Sequence, residues 1–157
     1  MMQSNKRVLV WTLILFISTL SWMVFEKLMG WHDDRIADHA TYSLFYDALF
    51  ILIFYLAFRV NMQQSDLLLW KDGFFFGMKI TTLMVLLSPL TQTIIHRVIS
   101  PEFFPNIIDF AVENNILSRT EASERFNLTT YMVQNAIGTS ILGLLTTSMM
   151  ALIMRKR

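Results

Sequence analysis

The chain has no cysteine, only five glycines and three prolines, and no marked excess of charge of either sign. Without cysteine, disulfide exchange, thiolate metal sites and cysteine nucleophiles are excluded. A net charge of +1 argues against a nucleic-acid partner, because such proteins carry a strong basic patch. Gly-x-Ser-x-Gly, His-Glu-x-x-His and phosphate-binding glycine motifs are also missing. We therefore predict no catalytic residues, no enzyme activity and no cofactor.

Long apolar runs are what the chain has instead. The last run, residues 128–154, contains no charged residue and is followed by Arg155, Lys156 and Arg157. A helix of about 20 apolar residues crosses a hydrocarbon core about 30 Å thick, so this run predicts a membrane span. Three further runs, at residues 8–29, 41–59 and 73–96, predict the other spans. The fold class we predict is all-α: an integral membrane four-helix bundle, formed by a single domain over residues 1–157 and surrounded by lipid.

The connections between these spans differ in character. The segment from Glu26 to His39 is short and polar, and it reads as an external loop with a turn at Gly30. Residues 97–127 form a longer external segment. Within it, apolar side chains stand among Asp109 and Glu113 in a stretch too short to span: Phe103, Phe104, Ile107, Ile108, Phe110, Ala111 and Val112. This pattern predicts a short amphipathic helix over residues 105–115, at the membrane surface or over the bundle.

A helix start is predicted between that short helix and the last span. Ser118 is followed three residues later by Glu121, the spacing of a capping box. We therefore expect the last helix to begin near Arg119, to project beyond the bilayer and to enter it at about Leu128.

Small side chains recur at helical spacing in the last two spans. In the third span, Gly73 and Gly77 form a Gly-x-x-x-Gly pattern. In the fourth span, one stripe consists of Thr139, Gly143, Thr147 and Ala151. Because close backbone approach over small residues directs packing between membrane helices, we predict that these two spans are closest near Gly77 and Thr147. Either stripe could instead face a neighbouring chain.

Charged side chains within the spans are the sharpest candidates for function. Asp47 lies inside the second span, and an intramembrane carboxylate either has a partner or serves an ion or proton path. We predict a structural pair with Arg97 or His96, with an ion site as the alternative. Lys79 lies near the end of the third span, where its long side chain can reach the headgroups.

The three histidines are candidate metal ligands, together with the neighbouring carboxylates of Asp33, Asp34 or Asp38. The spacing of His32, His39 and His96 matches no recognised ligand motif. Histidines in a loop are expected to be exposed. No metal site is predicted.

From Trp70 onward the order of features resembles a family of small four-span bacterial membrane proteins, common in the Bacteroidetes and known as a domain of unknown function. The residues that carry the resemblance are Lys71-Asp72-Gly73-Phe74, Gly77-Met78-Lys79 and Ile99-Ser100-Pro101-Glu102-Phe103. The resemblance implies a four-span fold and a bacterial source. It implies no activity.

Location and function follow as expectations. Lys and Arg are in excess at the two termini and in the second connection, which predicts that both termini are cytoplasmic in a bacterial inner membrane. The first functional hypothesis is a non-catalytic accessory or scaffold subunit of a larger membrane complex, partnered by other membrane proteins or by itself. The alternative is a small oligomeric transporter or channel in which Asp47 lines a polar path.

Overall fold

The computed structural model describes residues 2–63 and 69–154, and within these ranges every regular element is helical. The long helices are α1 (Met2–Leu28), α2 (His39–Gln63), α3 (Trp70–Ile94) and α6 (Leu128–Ile153). Two short helices, α4 (Phe103–Glu113) and α5 (Arg119–Arg125), lie between α3 and α6. The basic triplet at residues 155–157 lies outside the described residues.

The four long helices form an integral membrane bundle. Each is part of a stretch long and apolar enough to cross a bilayer: Asn5–Leu28, Ile36–Asn61, Trp70–Ile99 and Leu128–Ile153. Their surfaces expose many large apolar side chains, as surfaces in contact with lipid do. The predicted all-α four-span fold is confirmed. Helices α1 and α3 end, and helices α2 and α6 begin, on the side of the bundle where α4 lies. We call this side the α4 end.

The closest helix contact joins α3 to α6 over small residues. A Cβ placed on Gly77 would lie 2.5 Å from Oγ1 of Thr147, and one on Gly73 would lie 3.4 Å from Cβ of Ala151. A Cβ on Gly143 would overlap Thr81. At Gly77 and Gly143, glycine therefore lets the two helices approach to a distance that a Cβ would prevent.

The stripe of small residues on α6 does not serve one neighbour along its whole length. Gly143, Thr147 and Ala151 are buried in the bundle. Thr139, one turn earlier, is only half-buried and borders a cavity, and nothing lies within 4 Å of a Cβ on the adjacent Gly138. The close glycine contacts between α3 and α6 thus lie in the half of α6 far from the α4 end, whereas nearer that end the Ser88 hydroxyl of α3 donates to the carbonyl of Met132 at 3.3 Å.

An apolar cluster joins α2 to the other helices in that same half of the bundle. Its centre consists of Phe54 and Phe58 of α2 with Ile80 of α3, which are essentially inaccessible to solvent. At the end opposite α4, Arg7 donates to the side-chain oxygen of Asn61 at 3.1 Å and links α1 to α2.

The end of α3 widens into a π-helical turn over Ile95–Ile99. The amide of Ser100 donates to the carbonyl of Ile95 at 2.7 Å, five residues back. α4 then folds over the bundle, with Phe103 and Ala111 buried. The helix predicted at residues 105–115 is confirmed, although it begins earlier, at Phe103.

The capping box at the start of α5 is also confirmed. The Ser118 hydroxyl accepts from the amide of Glu121, and the Glu121 carboxylate accepts from the amide of Ser118 at 2.9 Å. The expectation of one continuous last helix from Arg119 is wrong. Asn127 has an extended backbone, and its side-chain oxygen accepts from the amide of Thr130 at 3.0 Å, so it caps a separate α6.

Candidate functional site

A buried carboxylate at the end of α1 organises the α4 end of the bundle. Glu26 is completely inaccessible to solvent and sits one turn after Trp22. The Trp22 indole donates to Oε1 of Glu26 at 2.6 Å, and the Ser43 hydroxyl donates to the same oxygen at 2.9 Å. The other oxygen, Oε2, lies 3.1 Å from Nε2 of His32 and 3.2 Å from Nδ1 of His39. Both carboxylate oxygens are therefore fully engaged, as a buried charge requires.

The connection between α1 and α2 turns inward to supply His32. Gly30 has a φ of +77°, a conformation that side chains with a Cβ rarely adopt, and its carbonyl accepts from the amide of Arg35 at 2.8 Å. Trp31 is buried and stacks on Tyr42 at 4.0 Å between ring centroids. The expectation that the histidines of this loop are exposed is therefore wrong for His32, which is only 1% exposed.

The second half of the chain holds His32 in place. Nδ1 of His32 lies 2.6 Å from the Ser100 hydroxyl, at the end of the π-helical turn. The side-chain amide of Asn106, on α4, donates to the carbonyl of His32 at 3.0 Å. Phe103 packs edge-on against the rings of His32 and His39 at 5.2 and 4.9 Å between centroids. The histidine is fixed from three directions.

A partly open cavity of about 560 Å³ adjoins this cluster, bounded by side chains from all four spanning helices. His32 and His39 lie on its wall near the α4 end. Further polar side chains that line it are Asp47, Gln92, His96, Tyr131, Gln134 and Asn135. No Lys or Arg of the described residues lines it. These polar side chains thus border a space that is partly open, and Asp47 and Gln134 are exposed.

The predicted pairing of Asp47 with Arg97 or His96 is wrong. Among the described residues, Asp47 makes no hydrogen bond and no ion pair, and it borders the cavity. His96 is buried and its Nε2 lies 3.1 Å from Oε1 of Gln92, while Nδ1 has no partner in the described part of the chain. Arg97 is exposed. The Asp47 carboxylate therefore borders the cavity and does not form the expected ion pair.

Lys79 is exposed on α3, away from the cavity lining. Its place two turns after Lys71 on the same helix fits a side chain that extends toward headgroups.

Glu26, His32 and His39 form a group that could hold a metal ion, since one ligand atom from each lies within 4.8 Å of the others. Sequence reasoning considered both histidines but placed Glu26 in the loop. One signal was available: Glu26 follows Trp22 by four residues on a helix that continues to Leu28, a spacing that puts an indole N–H beside a carboxylate.

Residues 10–156 match the family described as "Protein of unknown function (DUF4199)". The chain belongs to this family. No curated protein and no solved structure gives a significant match to the chain. The resemblance drawn from the sequence is therefore confirmed as membership of a domain family of unknown function, and the DUF4199 match covers both the buried cluster and the cavity.

Proposed function

We propose that the protein binds a small cationic solute in the cavity and acts as a transporter or channel in the membrane. The observation that carries the proposal is a cavity of about 560 Å³ between spanning helices, with polar side chains among its lining residues. That volume falls within the range of about 300–1,000 Å³ that is usual for ligand sites.

The charge of the lining selects the class of solute. Asp47 brings a carboxylate without a cationic partner among the described residues, and the same residues place no Lys or Arg on the cavity wall. A positively charged group or a set of N–H donors would complete the hydrogen bonding of this carboxylate, and Gln134 and Asn135 supply amide groups to the lining of the same cavity.

Binding of a panel of small primary amines to the purified protein tests the proposal. We expect at least one amine to raise the melting temperature in detergent and to enter proteoliposomes. Asp47→Asn should weaken that binding at least tenfold, whereas the matched change Asp34→Asn, at an exposed carboxylate away from the cavity, should leave it unchanged. Absence of binding, or equal binding by both variants, would refute the proposal.

An accessory or scaffold subunit is the second candidate. Gly138 favours it, because this small residue of α6 borders the cavity with nothing packed against it, which leaves room for a helix of another subunit. Purification from native membranes in mild detergent distinguishes the two candidates. A stoichiometric complex with other proteins supports the scaffold role, and a homo-oligomer supports the transporter or channel.

The location that goes with this function is a bacterial inner membrane with both termini in the cytoplasm. Support comes from Arg59, Lys71 and Lys79 near the end opposite α4, and from the basic triplet at the C-terminus of the sequence. The chain lacks cysteine, so single cysteines can be introduced at Asp34 and Lys156 for labelling. Only the first should react with an impermeant reagent added outside intact cells. Labelling of Lys156→Cys from outside would refute this orientation.

A further inference from the structure

The cluster at the α4 end has the composition of a site for a transition-metal cation. It offers one carboxylate and two imidazoles, and Glu26 and His32 are almost completely inaccessible to solvent. Two histidines and one carboxylate are a ligand set that zinc and related divalent cations accept in proteins. We propose that Glu26, His32 and His39 bind a divalent transition-metal cation of the zinc class.

The distances agree with tetrahedral coordination. Zinc bonds to nitrogen and oxygen of about 2.0–2.2 Å place neighbouring ligand atoms of a tetrahedron about 3.3–3.6 Å apart. Oε2 of Glu26 lies 3.1 Å from Nε2 of His32 and 3.2 Å from Nδ1 of His39. The third distance, between the ligand nitrogens of His32 and His39, is at most 4.8 Å. A cation can therefore be accommodated by small side-chain rotations, with the helices left where they are.

Surrounding hydrogen bonds orient the ligand atoms. Trp22 and Ser43 both donate to Oε1 of Glu26, which directs Oε2 to the histidines. The Ser100 hydroxyl lies 2.6 Å from Nδ1 of His32 and so fixes the ring with Nε2 toward Glu26. Partners of this kind, which hold the second ring nitrogen and the second carboxylate oxygen, are typical of metal centres and tune their affinity.

The surroundings leave room for a fourth ligand. His32, His39 and Ser43 border the cavity, so a bound cation would present one coordination position to it. His96 borders the same cavity, and its buried Nδ1 has no partner in the described part of the chain. Three protein ligands with an open fourth position are typical of sites that exchange a ligand or a substrate, whereas purely structural zinc sites are closed by four.

The alternative is a hydrogen-bonded network in which the histidines only neutralise Glu26. The same contacts at 3.1 and 3.2 Å would serve it. The two cases differ in a measurable way, because a network of hydrogen bonds needs no metal and gains nothing from one. The metal site and the solute site use different residues, since the metal ligands include neither Asp47 nor the amides of Gln134 and Asn135.

Metal titration of the full-length protein, purified in detergent with a tag free of histidine, tests the proposal. After treatment with chelator, we expect one equivalent of Zn²⁺ to bind per chain and the melting temperature to rise as the free Zn²⁺ concentration increases. Co²⁺ should bind in its place and give the intense visible absorption of a tetrahedral nitrogen and oxygen site. Neither measurement requires transport or an amine, so a failure here is distinct from a failure of the proposed function.

Two variants separate coordination from folding. Glu26→Gln keeps an oxygen for Trp22 and Ser43 but removes the anionic ligand, and it should abolish stoichiometric binding. Ser100→Ala keeps all three ligands, and it should weaken Zn²⁺ binding by about 10- to 100-fold. As a control, Asp34→Asn should bind as the wild type does. Absence of stoichiometric Zn²⁺ binding by the folded wild type, or unchanged binding by folded Glu26→Gln, would overturn the proposal.

Discussion

Replacing Gly77 by alanine should loosen the contact between α3 and α6. The added Cβ would lie 2.5 Å from Oγ1 and 2.7 Å from Cγ2 of Thr147, and 3.0 Å from Cε2 of Phe58. Carbon atoms pack best at about 3.5–4.0 Å, so the closest of these contacts is roughly 1 Å too short. Thr147 and Phe58 are themselves buried, which leaves them little room to move.

The expected magnitude follows from two opposing terms. Overpacking of a well-packed core costs about 1–3 kcal/mol. The greater helix propensity of alanine offsets only about 0.5–1 kcal/mol of this. We therefore expect the free energy of unfolding to fall by up to about 2 kcal/mol, measured by SDS titration in mixed micelles with helical circular dichroism as the signal.

Gly138 provides the matched control, because it is also a helical glycine in a spanning segment but has nothing within 4 Å of the added Cβ. Gly138→Ala should leave the free energy of unfolding unchanged or raise it slightly. The comparison isolates the steric term, since both changes add the same methyl group.

A second-site change tests the identity of the contact. Thr147→Ala removes both threonine atoms that clash, and its hydroxyl has no hydrogen-bond partner within the described ranges. The double variant should therefore be more stable than the sum of the single effects allows, with a coupling of about 0.5–3 kcal/mol. Equal effects of Gly77→Ala and Gly138→Ala, or additivity with Thr147→Ala, would refute the assignment of this contact.

Three further predictions concern the α4 end of the bundle. Asn127→Ala should lower the free energy of unfolding by about 0.5–2 kcal/mol in the same titration, because this side chain caps α6 and also donates to the carbonyl of Glu124 at 2.7 Å; an effect no larger than that of Asn114→Ala would contradict this. Ser118→Ala should increase hydrogen exchange of the α5 amides without changing α3. Hydrogen bonds from the Ser118 side chain and amide hold the pKa of Glu121 below its ordinary value. The stabilisation of α5 is therefore complete at a pH above the ordinary pKa, and protection of its amides should decline as the pH falls through the lowered pKa. If the protection of the α5 amides did not change with pH across that acidic range, this explanation would be contradicted.

The bundle itself could be predicted from the sequence. The prediction of a membrane span needs only the composition and length of an apolar run. The third and fourth spans could therefore be predicted from residues 73–96 and 128–154 without any knowledge of their neighbours. The capping box of Ser118 and Glu121 was equally accessible, since all of its atoms come from four consecutive residues.

The buried cluster could not be predicted in the same way. Whether Glu26 and His32 meet depends on the path of the connection through Gly30, and their burial depends on Phe103 and Ser100 from a distant part of the chain. Charged residues between spans were assumed to be solvated. That assumption fails where a short helix such as α4 covers the end of a bundle.

Asp47 shows a different limit. The cost of a charge within a span predicts some compensation but does not specify its form. An ion pair and a cavity with polar side chains satisfy the same requirement, and only the positions of α2, α3 and α6 relative to one another distinguish them.

Within the described part of the chain, all side-chain partners of Glu26 come from a short, continuous segment. Trp22, His32, His39 and Ser43 lie within residues 22–43, which comprise the end of one spanning helix, a tight turn and the start of the next. Closing so short a segment loses little chain entropy. The first helical pair can therefore assemble this cluster as it leaves the ribosome and enters the bilayer, before α3 and α6 have been synthesised to cover it.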